Sequence, residues 1–477
     1  MLRRLVRLYC SKPDKTMIIT NFKNLAKNSL RRKALLIAEA GYQAIDIEKN
    51  ISRRIKLNHG TLNIAIINDS KNIKLDLKNY KRIYLVGIGK GSALASANLA
   101  KILGDKLTGG IAFDVIKYQE IRPPKINGNI GRSNLPKLEF LTGTHPLPSK
   151  QNIKATQKII KLAKNLKKDD LLITFIAGGG SALACASKEE LKASQTVFKE
   201  LTKKGADIIE LNTVRKHLSE IKGGNLAKLA YPATVISLIV SDVPSNDLSM
   251  VASGPTVFDK TTKKNAKKIL KKYNLLTYEV NRLLRETPKD KKYFKKIRNI
   301  LFLSNWESVS AMMKKTKRLG FKPKIHSLAV KGEARRALLS MVEKALRLGS
   351  GQVILAAGET TVTLDNRPVG KGGRNMEAVL GAISNFSRSA GSRPAGQFSI
   401  SKNLLVLSIA SDGRDNTEAA GAIGDFSTLK KAKKLKLEPE EFLDQNNSFD
   451  FFKKTGDLIF AKSKSFNVSD LMIILRQ

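Results

Sequence analysis

The sequence contains few cysteines and histidines and no long apolar run. Among 477 residues there are 2 cysteines and 4 histidines. Cys10 and Cys185 cannot form a disulfide framework, which favours a reducing compartment. Because the sequence has no CxxC pair and no cysteine–histidine cluster, structural zinc is not expected. No apolar run approaches the roughly 20 residues of a membrane-spanning helix, so a membrane is not an expected partner.

Acidic residues are also scarce, since 41 Asp and Glu accompany 86 Lys and Arg, for a formal net charge of +45. This charge suits a nucleic-acid-associated protein, because a basic surface releases counterions from a phosphate backbone. However, seven lysines between 260 and 272 recur at helical spacing opposite Ala266 and Leu270, as on a solvated helix face. No basic strand with interleaved aromatic residues accompanies them, so nucleic acid is not the expected partner.

The first residues, MLRRLVRLYCSKP, place arginines between apolar residues and contain no acid. A mitochondrial presequence has this composition, and so does a basic leader upstream of a start at Met17. We interpret residues 1–19 as a basic leader, whose retention is left open. We expect a cytoplasmic protein, with a mitochondrial location as the alternative. The oligomeric state is also left open, with a homodimer as one assembly to consider.

The apolar and glycine patterns predict two α/β domains. A chain of 477 residues exceeds one ordinary core, and its 42% hydrophobic content is typical of a globular protein. From about residue 80, apolar strands, glycine turns and helices alternate, which indicates a mostly parallel sheet. We expect an N-terminal domain over 20–260 that opens with a helix over 20–50, a lysine-rich helical connection over 261–298, a C-terminal domain over 299–477, and a surface loop at 387–399.

Three glycine-rich turns follow apolar strands and precede helices. IAGGGSALACA (176–186) allows a sharp turn without Cβ atoms, and free N–H groups there favour phosphate, although a turn without a ligand is the simpler alternative. GIGKG (87–91) adds Lys90, whose compact charge suits an anion. This turn is not a Walker A loop and lacks the last glycine of the dinucleotide-binding GxGxxG pattern. VGKGGRNMEAVLGA (369–382) places Arg374 where a guanidinium could bind a carboxylate or phosphate through two hydrogen bonds.

Carboxylates also follow predicted strands. Asp242, Glu359, Asp412 and Asp415 each stand just after an apolar run, and ligands bind at such strand ends in α/β sheets. Beside phosphates these acids could hold Mg²⁺. Each alone is equally compatible with a turn or a helix cap. Glycine turns, cations and acids together suit phosphoryl transfer.

Longer motifs that contain these turns occur in one order along the chain. They are GIGKGSA, GTHPLPS, AGGGSAL, LNTVRKHLSEIKGGNLA, SDVPSNDLSMVASGPT, AGETTVTL, GKGGRNMEAVLGA, ASDGRDNTEAAGAI and NNSFDFFKKTGDL. Through them the chain resembles the glycerate 2-kinases of the MOFRL family over nearly all of residues 20–475. The resemblance implies a Rossmann-like N-terminal domain, a C-terminal MOFRL α/β domain and a cleft between them. There ATP would phosphorylate the 2-hydroxyl of D-glycerate, giving 2-phosphoglycerate and ADP, with Mg²⁺ or another divalent metal.

The resemblance also implies roles for individual residues. Lys90 and Arg374 match the catalytic lysine and arginine of the family. The phosphate cradle would comprise Gly178, Gly179, Gly180 and Ser181. Substrate or phosphate would also bind Arg215, Lys216 and His217. The expected metal ligands are Asp242, Glu359 and Asp412. The stretch KSFNVSDL (464–471) departs from the TGTNVNDL-like pattern of the family, so no role is assigned near Asn467.

Other functions stay open at this point. The glycine turns also suit an NAD(P)-dependent hydroxypyruvate or hydroxyacid oxidoreductase, against which the missing last glycine of GIGKGS counts. A nucleic-acid-associated protein would bind DNA with a steep dependence on salt. A kinase for a related 2-hydroxy acid is not separated from a glycerate kinase, because one substituent changes selectivity by only about 1–3 kcal/mol.

Overall fold

The computed structural model describes residues 17–66, 72–115, 138–243, 246–364, 369–387, 403–462 and 464–477. Residues 1–16 of the predicted leader and residues 388–399 of the predicted surface loop lie outside these ranges. In the part of the chain that is described, no helix is both long and apolar enough to cross a bilayer.

The strands and helices follow one another as in an α/β protein. The strands are β1 (Ile55–Asn58), β2 (Thr61–Ile64), β3 (Ile73–Asp76), β4 (Arg82–Ile88), β5 (Gly109–Asp114), β6 (Leu138–Thr142), β7 (Asp170–Ile176), β8 (Thr234–Val240), β9 (Ile297–Leu303), β10 (Lys322–Val330), β11 (Gln352–Gly358), β12 (Leu404–Ala410), β13 (Gly421–Asp425), β14 (Leu458–Ile459) and β15 (Asp470–Arg476). The helices are α1 (Phe22–Leu25), α2 (Ser29–Ala44), α3 (Ile47–Arg54), α4 (Ser92–Leu103), α5 (Lys150–Lys164), α6 (Gly180–Leu183), α7 (Lys188–Lys203), α8 (Ile208–Leu218), α9 (Asn225–Ala230), α10 (Lys263–Lys272), α11 (Tyr278–Leu283), α12 (Asn305–Arg318), α13 (Ala334–Ala337), α14 (Leu339–Leu348), α15 (Arg374–Ser387), α16 (Phe426–Lys434), α17 (Pro439–Asp444) and α18 (Ser448–Thr455).

The chain divides into two units. Unit 1 comprises the described residues of Met1–Ala44, Ser308–Ser463 and Asp470–Gln477. Unit 2 comprises those of Ile45–Glu307 and Lys464–Ser469. Each unit is therefore built from more than one stretch of the chain.

Unit 2 is built on a six-stranded sheet with the order β6-β5-β4-β7-β8-β9, in which neighbouring strands are parallel. The apolar run DLLITFI of β7 is buried along its whole length, as in parallel sheets that are covered on both faces. In β4, Leu85 packs into a core with α4, and Val86 packs into a second core with α5. The predicted parallel sheet is confirmed. The strand order is that of a doubly wound sheet, in which the direction of strand addition reverses between β4 and β7.

A small sheet and a helical layer complete unit 2. The antiparallel strands β1, β2 and β3 pack into the same core as α4. Helices α7, α8, α10 and α11 share a separate apolar core. In α10, Ala266 and Leu270 are buried in that core, while Lys264 and Lys268 are exposed. The predicted solvated lysine face is therefore confirmed for this helix.

Unit 1 contains a six-stranded mixed sheet with the order β10-β11-β15-β12-β13-β14. Strands β10 and β11 are parallel, and the other neighbouring pairs are antiparallel. One face packs against α14 and α15, and the other packs against α2 and α12. The prediction of a second α/β domain is confirmed.

The units differ from the predicted domains at two places. Helix α2 packs Leu35 and Tyr42 into a core with β11, β12 and β15, so it belongs to unit 1. The predicted connection over 261–298 lies inside unit 2, and β9 extends the parallel sheet beside β8. The helical periodicity of a sequence shows which face of a helix is buried, but it does not show which sheet covers that face. The unit to which α2 belongs therefore could not be predicted from its sequence.

Candidate active site

The carboxyl ends of β4 and β7 lie side by side at the centre of the parallel sheet. Ile88, the last residue of β4, is in register with Ile176, the last residue of β7. From β4 the chain goes on to β5 on one side, and from β7 it goes on to β8 on the other. Loops that leave such a reversal point diverge and form a ligand-binding crevice in doubly wound sheets. The loops at this point are GIGKG and the triglycine loop AGGGS.

The two loops contact each other through their backbones. Lys90 N donates a hydrogen bond to Gly178 O at 2.9 Å, and Ala177 N donates one to Ile88 O at 2.9 Å. Gly89 has a φ of 119°, and a Cβ on it would overlap Ala177 O. This position therefore requires glycine for both its backbone conformation and the close approach of the neighbouring loop.

Two predicted site residues pack against the triglycine loop. A Cβ on Gly179 would lie 3.2 Å from Lys90 Cγ, and a Cβ on Gly178 would overlap Asp242 Oδ2. Asp242 follows β8, the next strand of the sheet. The structure thus brings together the predicted lysine, the predicted phosphate loop and one predicted metal ligand. Their roles remain predictions.

Two further residues lie at this loop although the sequence interpretation gave them no role. A Cβ on Gly179 would lie 3.4 Å from Nε2 of His145, which is exposed. Asn467 Nδ2 donates a hydrogen bond to Asp242 Oδ2 at 3.5 Å. The motif GTHPLPS contains this histidine, but its sequence did not indicate that His145 lies beside Gly179. Asn467 comes from the far end of the chain, and its local sequence carries no signal for this contact.

The helices that follow the loops are less suited to anion binding than the sequence suggested. Helix α6, after the triglycine loop, extends only from Gly180 to Leu183, so its dipole is small. At the start of α4, Ala93 N already donates to Asp114 Oδ2 at 3.0 Å. Anion binding at this surface would therefore depend on the loop backbones and on Lys90.

Ser181 connects the triglycine loop to helix α8. Its Oγ lies 2.9 Å from Ser253 Oγ, and Ser253 Oγ donates to Asn212 Oδ1 at 2.6 Å. Ser253 has a φ of 58°, a left-handed conformation that is unusual for serine. This chain of polar groups fixes the start of α6 against α8.

Lys216 and His217 of α8 have internal partners. Lys216 Nζ forms a buried ion pair with Asp259 Oδ1 at 3.2 Å. His217 Nδ1 lies 2.9 Å from Arg285 O, and its Nε2 lies 3.2 Å from Thr261 Oγ1. Burial lowers the pKa of His217. These contacts favour a positioning role for both residues over the predicted binding role.

In unit 1, Arg374 is the first residue of α15 and is held by two carboxylates. Its Nε donates to Asp470 Oδ2 at 2.6 Å, and its Nη2 donates to Asp470 Oδ1 at 3.2 Å. Its Nη1 donates to Glu359 Oε1 at 2.6 Å. Asp470 is buried, whereas Glu359 is exposed. The sequence interpretation did not include Asp470 in the site.

A third carboxylate supports the start of α15. Asp415 accepts hydrogen bonds from Asn375 N at 3.1 Å and from Met376 N at 2.9 Å. Asn375 Nδ2 also donates to Asp470 Oδ1 at 2.9 Å. Burial raises the pKa of Asp415, and burial raises the pKa of Asp470 to about 7 despite the hydrogen bonds from Arg374. Asp415 therefore acts as a helix cap, one of the two alternatives that the sequence left open.

The three predicted metal ligands do not form one cluster. Within the described ranges, no group of three His, Cys, Asp or Glu side chains is arranged to hold a metal ion. Asp242 belongs to unit 2, whereas Glu359 and Asp412 belong to unit 1. Glu359 pairs with Arg374, and Asp412 Oδ1 accepts a hydrogen bond from the nearby Arg414 N at 3.1 Å.

Two family models and several known proteins match the chain. The model described as a domain of unknown function (DUF4147) matches residues 33–285, and the MOFRL family model matches residues 352–470. A glycerate 2-kinase from Pyrococcus horikoshii is 32% identical over 440 residues, which cover 87% of this chain and 92% of that protein. A protein from Agrobacterium vitis whose name proposes a hydroxypyruvate reductase is 34% identical over 426 residues, which cover 86% of this chain and 90% of that protein.

A solved structure matches the fold. The crystal structure of glycerate kinase from Thermotoga maritima has a TM-score of 0.73 and 28% identity to this chain, and the match covers 94% of this chain and 100% of that one. The resemblance drawn from the motifs is confirmed, and the chain belongs to the glycerate 2-kinase family of phosphotransferases, with its DUF4147 and MOFRL domains.

Proposed function

We propose that the protein transfers the γ-phosphoryl group of ATP to the 2-hydroxyl of D-glycerate, giving 2-phosphoglycerate and ADP. One observation carries the proposal: two touching glycine loops stand at the reversal point of a parallel sheet, with Lys90 and Asp242 packed against Gly178 and Gly179. Backbone N–H groups in such loops suit phosphate oxygens. The named activity of the Pyrococcus horikoshii relative supports glycerate as the acceptor.

The proposed transfer needs alignment and charge stabilisation from the protein. The 2-hydroxyl oxygen forms a bond to the γ-phosphorus while the bond from that phosphorus to the β,γ-bridging oxygen breaks. ADP leaves with the electron pair, and the hydroxyl proton passes to solvent. Lys90 would stabilise the negative charge on the group in transfer.

Arg374 would be the second catalytic cation. Of its five N–H donors, three bind Asp470 and Glu359, and the other two have no partner in the described part of the chain, so an anion could accept from them. Asp470 is buried and binds two nitrogens of the guanidinium, so it orients the side chain. Glu359 is exposed and accepts from one nitrogen. We therefore expect a substrate oxyanion to displace Glu359 and to leave the pair with Asp470 intact.

A divalent metal fits beside Asp242. Mg²⁺ prefers oxygen ligands and commonly uses one or two carboxylates together with substrate phosphates, so a single carboxylate at the phosphate loop is sufficient. When bound, the metal would supply neutralisation of charge on the phosphates. Asn467 donates to Asp242 Oδ2 and would orient this carboxylate. Glu359 is a weaker candidate because its carboxylate already pairs with Arg374, and the role of Asp412 remains a prediction.

Gly178→Ala should raise the KM for ATP by about 100-fold, because a displaced loop would lose one or two hydrogen bonds to charged phosphate oxygens. The new Cβ would overlap Asp242 Oδ2 and lie 3.2 Å from Asn467 Nδ2, so the loop or Asp242 must move. Steady-state titration with ATP measures the effect. Gly320→Ala is the control, because that glycine has a φ of 84° but open space around it. The control should lose about 1 kcal/mol of stability and keep its KM. An unchanged KM in Gly178→Ala would refute the phosphate role of this loop.

Turnover should decline as the pH falls below about 7. The pKa of Asp470 is raised to about 7, so its carboxyl gains a proton below that pH and loses an acceptor that orients Arg374. We expect kcat of the wild type to show an acid limb near pH 7 and Asp470→Asn to show a lower kcat without that limb. An acid limb that survives in Asp470→Asn would contradict this assignment.

A coupled assay of ADP release across a small panel of hydroxy acids tests the function. We expect D-glycerate to give the highest kcat/KM and NMR to place the phosphate on C2. Phosphate on C3 would contradict the proposal. A cytoplasmic location and a homodimer remain predictions.

The name of the Agrobacterium vitis relative favours one second function, reduction of hydroxypyruvate. The loop GIGKGS has Ser92 where the dinucleotide-binding pattern requires its last glycine, which counts against a nicotinamide cofactor. Oxidation of NADH by hydroxypyruvate, without release of ADP in the kinase assay, would replace the proposed function.

A further inference from the structure

A basic and aromatic surface lies at the amino ends of two strands of unit 2. Tyr231 comes shortly before β8, and Tyr293 comes shortly before β9. Because β8 and β9 are parallel neighbours, both residues lie at one edge of the sheet. The glycine loops follow the carboxyl ends of β4 and β7 and therefore lie at the opposite edge. We call residues 228–231 and 291–296 the amino-end surface.

Two tyrosine rings form the centre of the amino-end surface. The ring centroids of Tyr231 and Tyr293 are 5.4 Å apart, and the ring planes are 89° to each other. Tyr231 is 46% exposed, and neither tyrosine belongs to an apolar core of unit 2. A perpendicular contact covers at most one face of a ring. The Tyr231 ring therefore keeps a face on which a planar group can stack.

Lysine side chains stand beside the tyrosine pair. Lys228 Nζ lies 5.9 Å and Lys292 Nζ lies 5.1 Å from the centroid of the Tyr293 ring. Lys296 Nζ donates a hydrogen bond to Pro232 O at 3.4 Å, next to Tyr231. These contacts bring the two segments of the amino-end surface together and place ammonium groups next to a stacking ring.

Cations exceed acids at this edge of the sheet. The acids of the neighbouring segments each pair with a cation: Asp290 with Lys292, Asp169 with Lys81, and Asp170 with Arg82. Four further lysines form no ion pair with any residue in the described ranges, namely Lys228, Lys291, Lys295 and Lys296. Like charges on one surface repel one another, and a bound polyanion would relieve this repulsion and release counterions.

The lysine face of α10 lacks the aromatic component. Lys264 and Lys268 are exposed there, but the ring of Tyr273 packs against the helical core and its hydroxyl donates to Glu210. That face suits water. The amino-end surface instead combines unpaired cations with an exposed ring, the combination by which proteins bind phosphates and stack bases of single-stranded nucleic acid.

The same surface is poorly suited to an anionic membrane. Binding at a bilayer interface requires apolar side chains that insert between the lipids, as well as cations. Among the residues of the amino-end surface, all of which the structure describes, Tyr231 is the one large hydrophobic residue that is exposed. Charge complementarity together with this single ring favours a nucleic acid.

We propose that the amino-end surface binds single-stranded nucleic acid, with a base stacked on Tyr231 and phosphates bound by Lys228, Lys291 and Lys295. The sequence pattern does not predict this partner, because the two segments are distant in the chain and neither is a basic strand with interleaved aromatic residues. Binding at this edge is separate from phosphoryl transfer at the opposite edge and does not depend on it.

Fluorescence anisotropy with a labelled RNA of mixed sequence, about 12 nucleotides long, tests the proposal. The double variant Lys291→Glu/Lys295→Glu should weaken binding by about 30-fold and reduce the slope of log K against log salt by about 1.4, or about 0.7 for each lost phosphate contact. Lys264→Glu/Lys268→Glu is the matched control, because it changes the net charge equally on α10, and it should bind within about threefold of the wild type. Equal weakening in both double variants would overturn the proposal, since net charge alone would then attract the RNA.

The stacking part of the proposal has its own variant. Tyr231→Ala should weaken binding by about tenfold and leave the salt slope unchanged, because a stacked base carries no charge. Tyr278→Ala, which removes a tyrosine that is 72% exposed elsewhere in unit 2, should bind as the wild type does. Equal binding by wild type and Tyr231→Ala would overturn the stacked base.

Two further measurements exclude other partners and separate this inference from the kinase function. Vesicles of phosphatidylcholine and phosphatidylserine should not retain the protein at physiological salt, and retention by vesicles without binding of RNA would replace the nucleic acid with a membrane. Every variant should release ADP at the rate of the wild type, because none of the changed residues lies at the glycine loops. The RNA titration contains no ATP or glycerate, so it gives the same answer if the kinase function fails.

Discussion

Lys90→Met is expected to lower kcat by about 1,000-fold, the usual order of the effect of removing a cation that stabilises a phosphoryl transition state. Methionine keeps the stem that packs beside Gly179 and removes only the charge. The KM values should change less than kcat, because the interaction is strongest while the phosphoryl group is in transfer. ADP release at saturating ATP and glycerate measures kcat.

The lower kcat of Lys90→Met should come from the chemical step and not from a loss of folded protein. The free energy of unfolding of Lys90→Met, measured with denaturant, should stay within about 1 kcal/mol of the wild type, well below the effect of a core cavity or a broken buried ion pair. Lys101→Met, an exposed lysine on the helix that follows the same loop, is the control and should leave kcat unchanged. A kcat within threefold of the wild type would remove Lys90 from the mechanism.

Arg31→Ala is expected to lower the free energy of unfolding by about 3–5 kcal/mol, the usual effect of breaking a buried ion pair from one side. Arg31 Nε donates to Asp425 Oδ2 at 2.7 Å, and its Nη1 donates to Asp457 Oδ1 at 2.6 Å. The Arg31 side chain is 1% exposed. Its removal leaves two buried carboxylates without a counterion.

The pH dependence of this effect has a definite sign. Burial raises the pKa of Asp425, but hydrogen bonds from Arg31 outweigh it and hold the pKa below its ordinary value. A carboxyl group whose pKa is lower in the folded than in the unfolded chain stabilises the fold above its unfolded pKa of about 4. This stabilisation is lost as the pH falls through the pKa of the folded state. The difference between wild type and Arg31→Ala should therefore be largest near neutral pH and shrink in acid.

Arg336→Ala, an exposed arginine of α13, serves as the control and should change stability by less than about 0.5 kcal/mol. An Arg31→Ala variant as stable as this control would mean that α2 is not anchored to unit 1 through this cluster. The experiment thus tests the unexpected division of the chain, in which an N-terminal helix completes the C-terminal sheet.

Local sequence patterns were sufficient for the strands and loops of the site. Buried parallel strands are continuous apolar runs, and DLLITFI shows this directly. Glycines mark the places where backbones approach closely, as Gly89 does beside Ala177. The contact between GIGKG and the triglycine loop follows once their strands are neighbours.

The remaining features depend on contacts between distant segments. Tyr42 of α2 donates a hydrogen bond to Ala410 O, 368 residues away. Asp470 and Asn467 stand in the stretch KSFNVSDL, whose local pattern shows neither the pair with Arg374 nor the contact with Asp242. Lys216 and His217 show the same limit, because a charged motif does not reveal that Lys216 pairs with Asp259 or that the His217 ring contacts Arg285 O within the fold.

A double-mutant cycle with Lys90→Met and Asp242→Asn tests most directly whether the two residues that pack against the triglycine loop act together on the transferring phosphoryl group. Residues that act as a unit have strongly non-additive effects on turnover. We expect the kcat of the double variant to be at most about tenfold below that of the less active single variant. If the two losses multiply, Lys90 and Asp242 act independently, and a single phosphoryl-transfer site at the triglycine loop is contradicted.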